Sequence, residues 1–139
     1  MLRVNVSRRR RPVAAVGQTR PVPRLTEPPV SPEVRVFYDS FANRVRGKIV
    51  SLLSANGPML TADIERKLRG EELPVEEQLR IDRSTLITHL TDLESLGLIA
   101  GDPAPGHRQG RAVTWSVNAV RRDQVLSEFA AYIQGKSDF

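Results

Sequence analysis

The residues best equipped for chemistry in this chain are hydroxyls and arginines, and their spacing is regular. At about 100° per residue, Ser84, Thr88, Thr91 and Ser95 fall on one face of the segment DRSTLITHLTDLESLG (82–97), with Leu86, Leu90, Leu93 and Leu96 on the opposite face. Small hydroxyl side chains let a helix approach the floor of a DNA major groove, where Thr methyls meet thymine methyls and hydroxyls meet base edges or phosphates. Arg83 is the one cation on that helix. A helix so nearly uncharged attracts phosphate weakly, so that attraction has to come from elsewhere. The sources are Arg108 and Arg111 in a Gly/Pro/Arg loop and the N-terminal run Arg8, Arg9, Arg10 and Arg11, with Arg44, Arg46 and Lys48 as additions. The plain alternative for Arg83, Ser84 and Thr88 is a solvated helix face.

Other chemistries find little material. The two histidines, His89 and His107, stand in no motif that sets a nucleophile beside a base, so no enzyme is expected. His89 sits at the edge of the leucine stripe and reads as an ordinary half-buried histidine, while His107 lies in the basic loop, facing phosphate or solvent. Gly106 and Gly110 bracket HRQ without the lysine and following helix of a phosphate-binding loop. With zero cysteines the chain has no disulfide, no thiolate ligand and no cysteine nucleophile. Two distant histidines and scattered carboxylates spell out no metal site, and no cofactor is implied.

The 139 residues carry a net charge of +5, unevenly placed. Residues 1–32 hold seven arginines (Arg3, Arg8, Arg9, Arg10, Arg11, Arg20 and Arg24) against Glu27, so 7 − 1 gives +6 there and −1 for the rest. Residues 1–30 are also rich in proline and lack periodicity, which predicts a disordered Arg/Pro-rich arm that meets phosphates; the alternative is a merely solvated tail. Residues 31–139 are expected to form one folded domain. No apolar run nears the roughly 20 residues of a membrane helix, and 13–17 is too short for the core of a signal peptide. A soluble, cytoplasmic protein with no membrane partner is expected.

The elements that must position these residues are also written in. Ser31 as cap, Pro32 and Glu33 open a helix, and Val34, Phe37, Tyr38, Phe41, Val45 and Ile49 continue at helical spacing as one long helix, or two that break near Asp39 and Ser40. Asn56-Gly57-Pro58 ends it. Thr61 is expected to cap a short helix with Ala62, Ile64 and Leu68 inward. The segment 70–80 is acidic and interrupted by Pro74. Asp82 is a good cap for the hydroxyl-faced helix and Gly97 a left-handed stop. Leu98, Ile99 and Ala100, the basic loop 101–111 and the alternation from Ala112 to Val117 predict a hairpin. Asn118 caps a last helix whose face is Val125, Leu126, Phe129, Ala130 and Ile133. The predicted fold class is mainly α with a small β-hairpin, a winged helix-turn-helix preceded by a disordered basic arm. Phe37, Tyr38, Phe129 and Ile133 offer more apolar surface than a small domain leaves open, which predicts a homodimer through the terminal helices; the alternative is that all of it is internal core.

From residue 41 to about 118 the chain resembles the ArsR-type winged-helix transcriptional regulators, through NRVRGKIVSLLSANGPM, the pair TADIERKL and RSTLITHLTDLESLGLI, and the hairpin ending AVTWSVN. Similar patterns occur in MarR-type and other winged-helix groups. The resemblance implies that the second helix of the pair enters the major groove of double-stranded DNA, that the wing meets the backbone or minor groove, and that the terminal helices make a dimer. By position it implies Ser84, Thr85, Ile87 and Thr88 as the groove-facing set, with Arg108 and Arg111 in the wing. Two features depart from the pattern. The chain has neither the cysteines nor the His/Asp clusters of metal-responsive relatives, so no metal response is expected. The 70–80 segment is longer than the usual turn, and Glu71, Glu72, Glu76 and Glu77 would repel phosphates, so it points away from DNA or binds a protein partner. Two functions follow. One is a dimeric, sequence-specific DNA-binding transcriptional regulator; the other is a winged-helix interaction module whose DNA binding is secondary.

Overall fold

The computed structural model describes residues 30–70 and 73–136. Arg8, Arg9, Arg10 and Arg11 and the arm expected over 1–30 lie outside the described residues, save Val30, as do Glu71 and Glu72. The elements run α1 (Pro32–Asp39), α2 (Arg44–Asn56), β1 (Met59–Leu60), α3 (Thr61–Arg69), a 3-10 turn (Val75–Glu77), α4 (Arg83–Ser95), β2 (Ile99–Asp102), β3 (Thr114–Val117) and α5 (Ala119–Ile133).

Local chemistry sets the boundaries. The Ser31 hydroxyl accepts the Val34 amide at 3.2 Å and opens α1. At the far end the buried Ser40 hydroxyl donates to the Val36 carbonyl, a side chain bonding its own helix in place of a continuing backbone turn. Asn43 then accepts the amides of Val45 and Arg46 and starts α2. Of the two expected arrangements, the broken helix is the one formed. Asp82 caps α4 by accepting the Thr85 amide at 2.8 Å, and Gly97, at φ 79°, takes the left-handed turn that ends it.

The sheet holds three antiparallel strands in the order β1-β3-β2, with Met59 opposite Trp115 and Ile99 opposite Val117. The expected hairpin is present as β2 and β3. The third strand, β1, corrects one expectation, because Thr61 does not cap α3: Leu60 holds the cap position with no side-chain bond. Since β1 runs straight into the helix, the Thr61 amide donates to the Val113 carbonyl just before β3, at 3.3 Å, and its hydroxyl turns inward. There it accepts the indole N–H of buried Trp115 at 2.9 Å, giving that ring the partner a buried indole requires.

Leu86, Leu90 and Leu93 of α4 are fully buried with Ile49, Leu53, Ile64, Leu68, Leu98, Trp115 and Val125. Each such side chain contributes about 1.5–3 kcal/mol through burial. Leu96 only edges this core. The segment after Gly70 returns to it: the Leu79 amide donates to the Leu68 carbonyl at 3.1 Å, and Leu79 and Ile81 pack against the core. At the termini α1 packs on α5, with Phe37 stacked on Phe129 at 3.6 Å and 4° and Tyr38 edge-on to the same ring at 5.6 Å. Part of the aromatic surface is therefore internal, while Tyr38, Leu126 and Ile133 stay exposed. No helix of the described residues is long and apolar enough to cross a membrane.

Candidate nucleic-acid interface

With its leucines buried, α4 presents Ser84, Thr85, Ile87, Thr88, Thr91 and Ser95 to solvent. Their hydroxyl protons are mostly in use within the helix. Ser84 donates to the Asp82 carboxylate (2.9 Å), Thr88 to the Ser84 carbonyl (3.1 Å), Thr91 to the Ile87 carbonyl (3.0 Å) and Ser95 to the Thr91 carbonyl (3.0 Å). What faces outward is thus hydroxyl lone pairs and methyl groups. Such a surface accepts from the exocyclic amines of adenine and cytosine and packs on the thymine methyl. The Thr85 amide, followed by the Ser84 hydroxyl, holds the Asp82 carboxyl below the usual carboxylate range. That keeps the cap ionised at the positive end of the helix dipole.

The predicted cations divide into exposed and enclosed. Arg83 is exposed and pairs with Glu65 at 3.0 Å, a carboxylate shared with Arg69. The Arg83 side chain is 57% exposed and Glu65 keeps Arg69 as a second partner, so a phosphate can reach Arg83 without leaving that carboxylate unpaired. Arg111 stands exposed just after the left-handed turn at Gly110 (φ 69°), its guanidinium 3.5 Å from the His107 carbonyl.

Arg108 is placed otherwise. Two of its nitrogens donate to Glu94 at 3.1 and 2.6 Å, its Nε donates to the Pro103 carbonyl at 2.6 Å, and its guanidinium lies 4.9 Å from the Trp115 ring centre. Both partners are only 18% exposed. Glu94 also accepts the Gly101 amide at 3.0 Å, so one α4 carboxylate clamps both the strand and the loop of the wing. Gly101 is required here, since a Cβ would stand 2.6 Å from the Arg108 guanidinium and 2.9 Å from the Trp115 ring. Arg108 therefore sets the angle between wing and helix. Arg108→Ala should lower stability by about 1–3 kcal/mol by leaving Glu94 half-buried without its partner, as denaturant unfolding would measure. Because the Arg108 hydrogen bonds hold the Glu94 carboxyl below its ordinary 4.5, this contribution is complete above pH 4.5 and lost as acid titrates the folded group below it. The variant should lose that part of the acid dependence.

Arg46 is engaged as well. It donates to His89 Nδ1 at 2.9 Å, to the Asp39 carbonyl at 2.9 Å and to Asp92 at 2.5 Å, tying α2 to the inner edge of α4. Burial, then the Arg46 charge, depresses the His89 pKa below 6.5, which keeps the imidazole neutral and able to accept. His89 is half-buried as expected, but its partner is 43 positions earlier and invisible to any local pattern. Lys48 is exposed. Among the described residues no group of three or more acidic or histidine side chains is arranged to hold a metal ion.

No protein-family model and no curated protein matches the chain. Among solved structures it is similar to an ArsR family transcriptional regulator, at TM-score 0.53 and 17% identity over 74% of this chain and 88% of that one. It also matches NadR in complex with 4-hydroxyphenylacetate, at TM-score 0.44 and 18% identity over 74% of this chain and 66% of that one. At these identities the likeness speaks for the fold: the chain carries a winged helix-turn-helix like that of an ArsR family transcriptional regulator.

Proposed function

We propose that the chain is a sequence-specific DNA-binding transcriptional regulator that acts as a homodimer. The observation that carries this reading is the outer face of α4, an uninterrupted surface of hydroxyl acceptors and methyls on a rigid, capped helix. Ser84, Thr85, Ile87 and Thr88 face the bases in the major groove. Arg83 and Arg111 meet the backbone, Arg8, Arg9, Arg10 and Arg11 extend the phosphate contacts from the arm, and Arg108 holds the wing in position. One solved structure of similar fold is that of an ArsR family transcriptional regulator, which supports this assignment. Titrating the full chain into random duplex DNA at several salt concentrations tests it. Affinity should fall linearly on a double-logarithmic scale, with a slope of about 0.9 per phosphate contact. Absence of saturable binding at low salt would remove the reading.

Dimerisation rests on the apolar residues that the α1–α5 pairing leaves outside, Tyr38, Leu126 and Ile133, the last 61% exposed. Light scattering at micromolar concentration should give twice the chain mass, and Ile133→Asp should shift it toward one. A strict monomer, unchanged by DNA, would end the dimer assignment.

A second reading, a protein-interaction module, draws on the inserted segment, where apolar Val75 is 66% exposed on a stretch of acidic composition. It predicts weak DNA binding without sequence preference, and a protein partner held through Val75.

A further inference from the structure

An open cavity of about 380 Å³ lies between α2, the end of α3 and the inserted segment. Phe41, Leu68, Leu73 and Leu79 line it with apolar surface, and Arg44 and Lys48 stand at its rim. Gly47 lines this space together with Arg44, Lys48 and Ser51 of α2; a Cβ at Gly47 would come within 3.1 Å of the Phe41 carbonyl. The helix thus runs close against the preceding turn, and between Arg44 and Lys48 it puts no side chain at position 47 into the opening. Arg44 donates to the Glu76 carbonyl at 3.4 Å, laying its guanidinium along the inserted segment. Among the described residues neither Arg44 nor Lys48 reaches a carboxylate. Two cations with no carboxylate partner among the described residues, beside apolar walls, select a ligand with both characters, since a carboxylate forms strong charge-assisted hydrogen bonds while its hydrocarbon body displaces water from the leucines.

We propose that this groove binds a small organic carboxylate with an apolar, ring-sized body. The carboxylate pairs with Arg44 and Lys48, and the body lies on Leu73 and Leu79. The site has a route to α4: the Leu79 amide is bonded to Leu68, and the Asp82 cap follows three residues later. A ligand bridging α2 to this segment fixes where α4 begins, and so changes DNA affinity; by linkage, DNA changes ligand affinity by the same factor. That consequence rests on the DNA-binding reading, whereas the site itself does not.

The test uses the full chain, isotope-labelled and free of DNA, titrated in separate NMR experiments with 2-naphthoate and with its neutral amide. Saturable shifts at the Gly47, Ser51 and Leu79 amides are expected, with the amide about tenfold weaker or worse. Arg44→Gln combined with Lys48→Gln changes two exposed side chains, so it should melt like the parent and lose naphthoate affinity by about the same factor. Equal affinity for the two probes, shifts centred on Phe129 and Tyr132, or no saturation at the solubility limit would overturn the site. DNA affinity is then measured with and without saturating naphthoate. An unchanged value while the groove is filled overturns the coupling; a chain that fills the groove yet binds no DNA leaves the site standing and defeats the functional reading.

Discussion

Leu90→Ala should cost about 2–5 kcal/mol, the range for emptying a fully enclosed leucine site. Leu90 is 0% exposed, between Leu86 and Leu93 of the same helix and against the α2 and α3 core. Because Leu90 is fully enclosed in a cluster drawn from several elements, the surroundings cannot collapse into the gap without moving α4. A domain of this size has about 5–15 kcal/mol in total, so the variant should melt far below the parent or fail to fold. Thr88→Ala, two residues away on the outer face, removes a hydroxyl whose proton goes to its own helix and should change stability by no more than about 0.5 kcal/mol. Thermal melting of the two variants tests the assignment of faces. Were Thr88→Ala the more damaging, α4 would be rotated and the proposed base contacts would fall with it.

Affinity and specificity should separate along the chain. Deleting residues 1–29 leaves the Ser31 cap in place and removes seven arginines. If four or five of them meet phosphates, the slope of log affinity against log salt flattens by about 4, and all duplexes weaken alike. Ser84→Ala or Thr88→Ala should leave that slope nearly intact and reduce discrimination between operators by about 1–3 kcal/mol per lost base contact. Binding of parent, truncated and substituted chains to a panel of duplexes at several salt concentrations reads both effects. An unchanged slope after truncation would take the arm off the DNA. Loss of preference among A·T-rich duplexes on truncation would instead place arm arginines in a narrow minor groove.

What could be read in advance follows from the range of the interactions. The faces of α4, its Asp82 cap and its Gly97 stop were legible because helical period and capping are decided within a few residues. Asn118 caps α5 for the same reason, accepting the Arg121 amide. β1 was not legible: two residues carry no alternation, and Met59 and Leu60 form a strand only because β3 returns beside them. Thr61 was misjudged with it, since its hydroxyl answers to an indole 54 positions later. Arg108 looked like a phosphate contact because composition reports charge and not its partner. Glu94 lies 14 positions earlier and meets it only once the hairpin has folded back onto α4. Arg46 was engaged by His89 and Asp92 in the same way. The acidic composition of 70–80 spoke only of how the segment would meet DNA or a partner; that Leu79, with Ile81 just beyond it, packs against the core depends on residues distant in the chain.

The central claim is that the outer face of α4 enters the DNA, and the most direct measurement is an NMR map of the full chain bound to a mixed-sequence duplex. Perturbations should concentrate at Ser84, Thr88 and Thr91 and at the wing-tip residues His107 and Arg111, with Val75 unaffected. Perturbations confined to the inserted segment or to the α1–α5 face, with α4 silent, would contradict it.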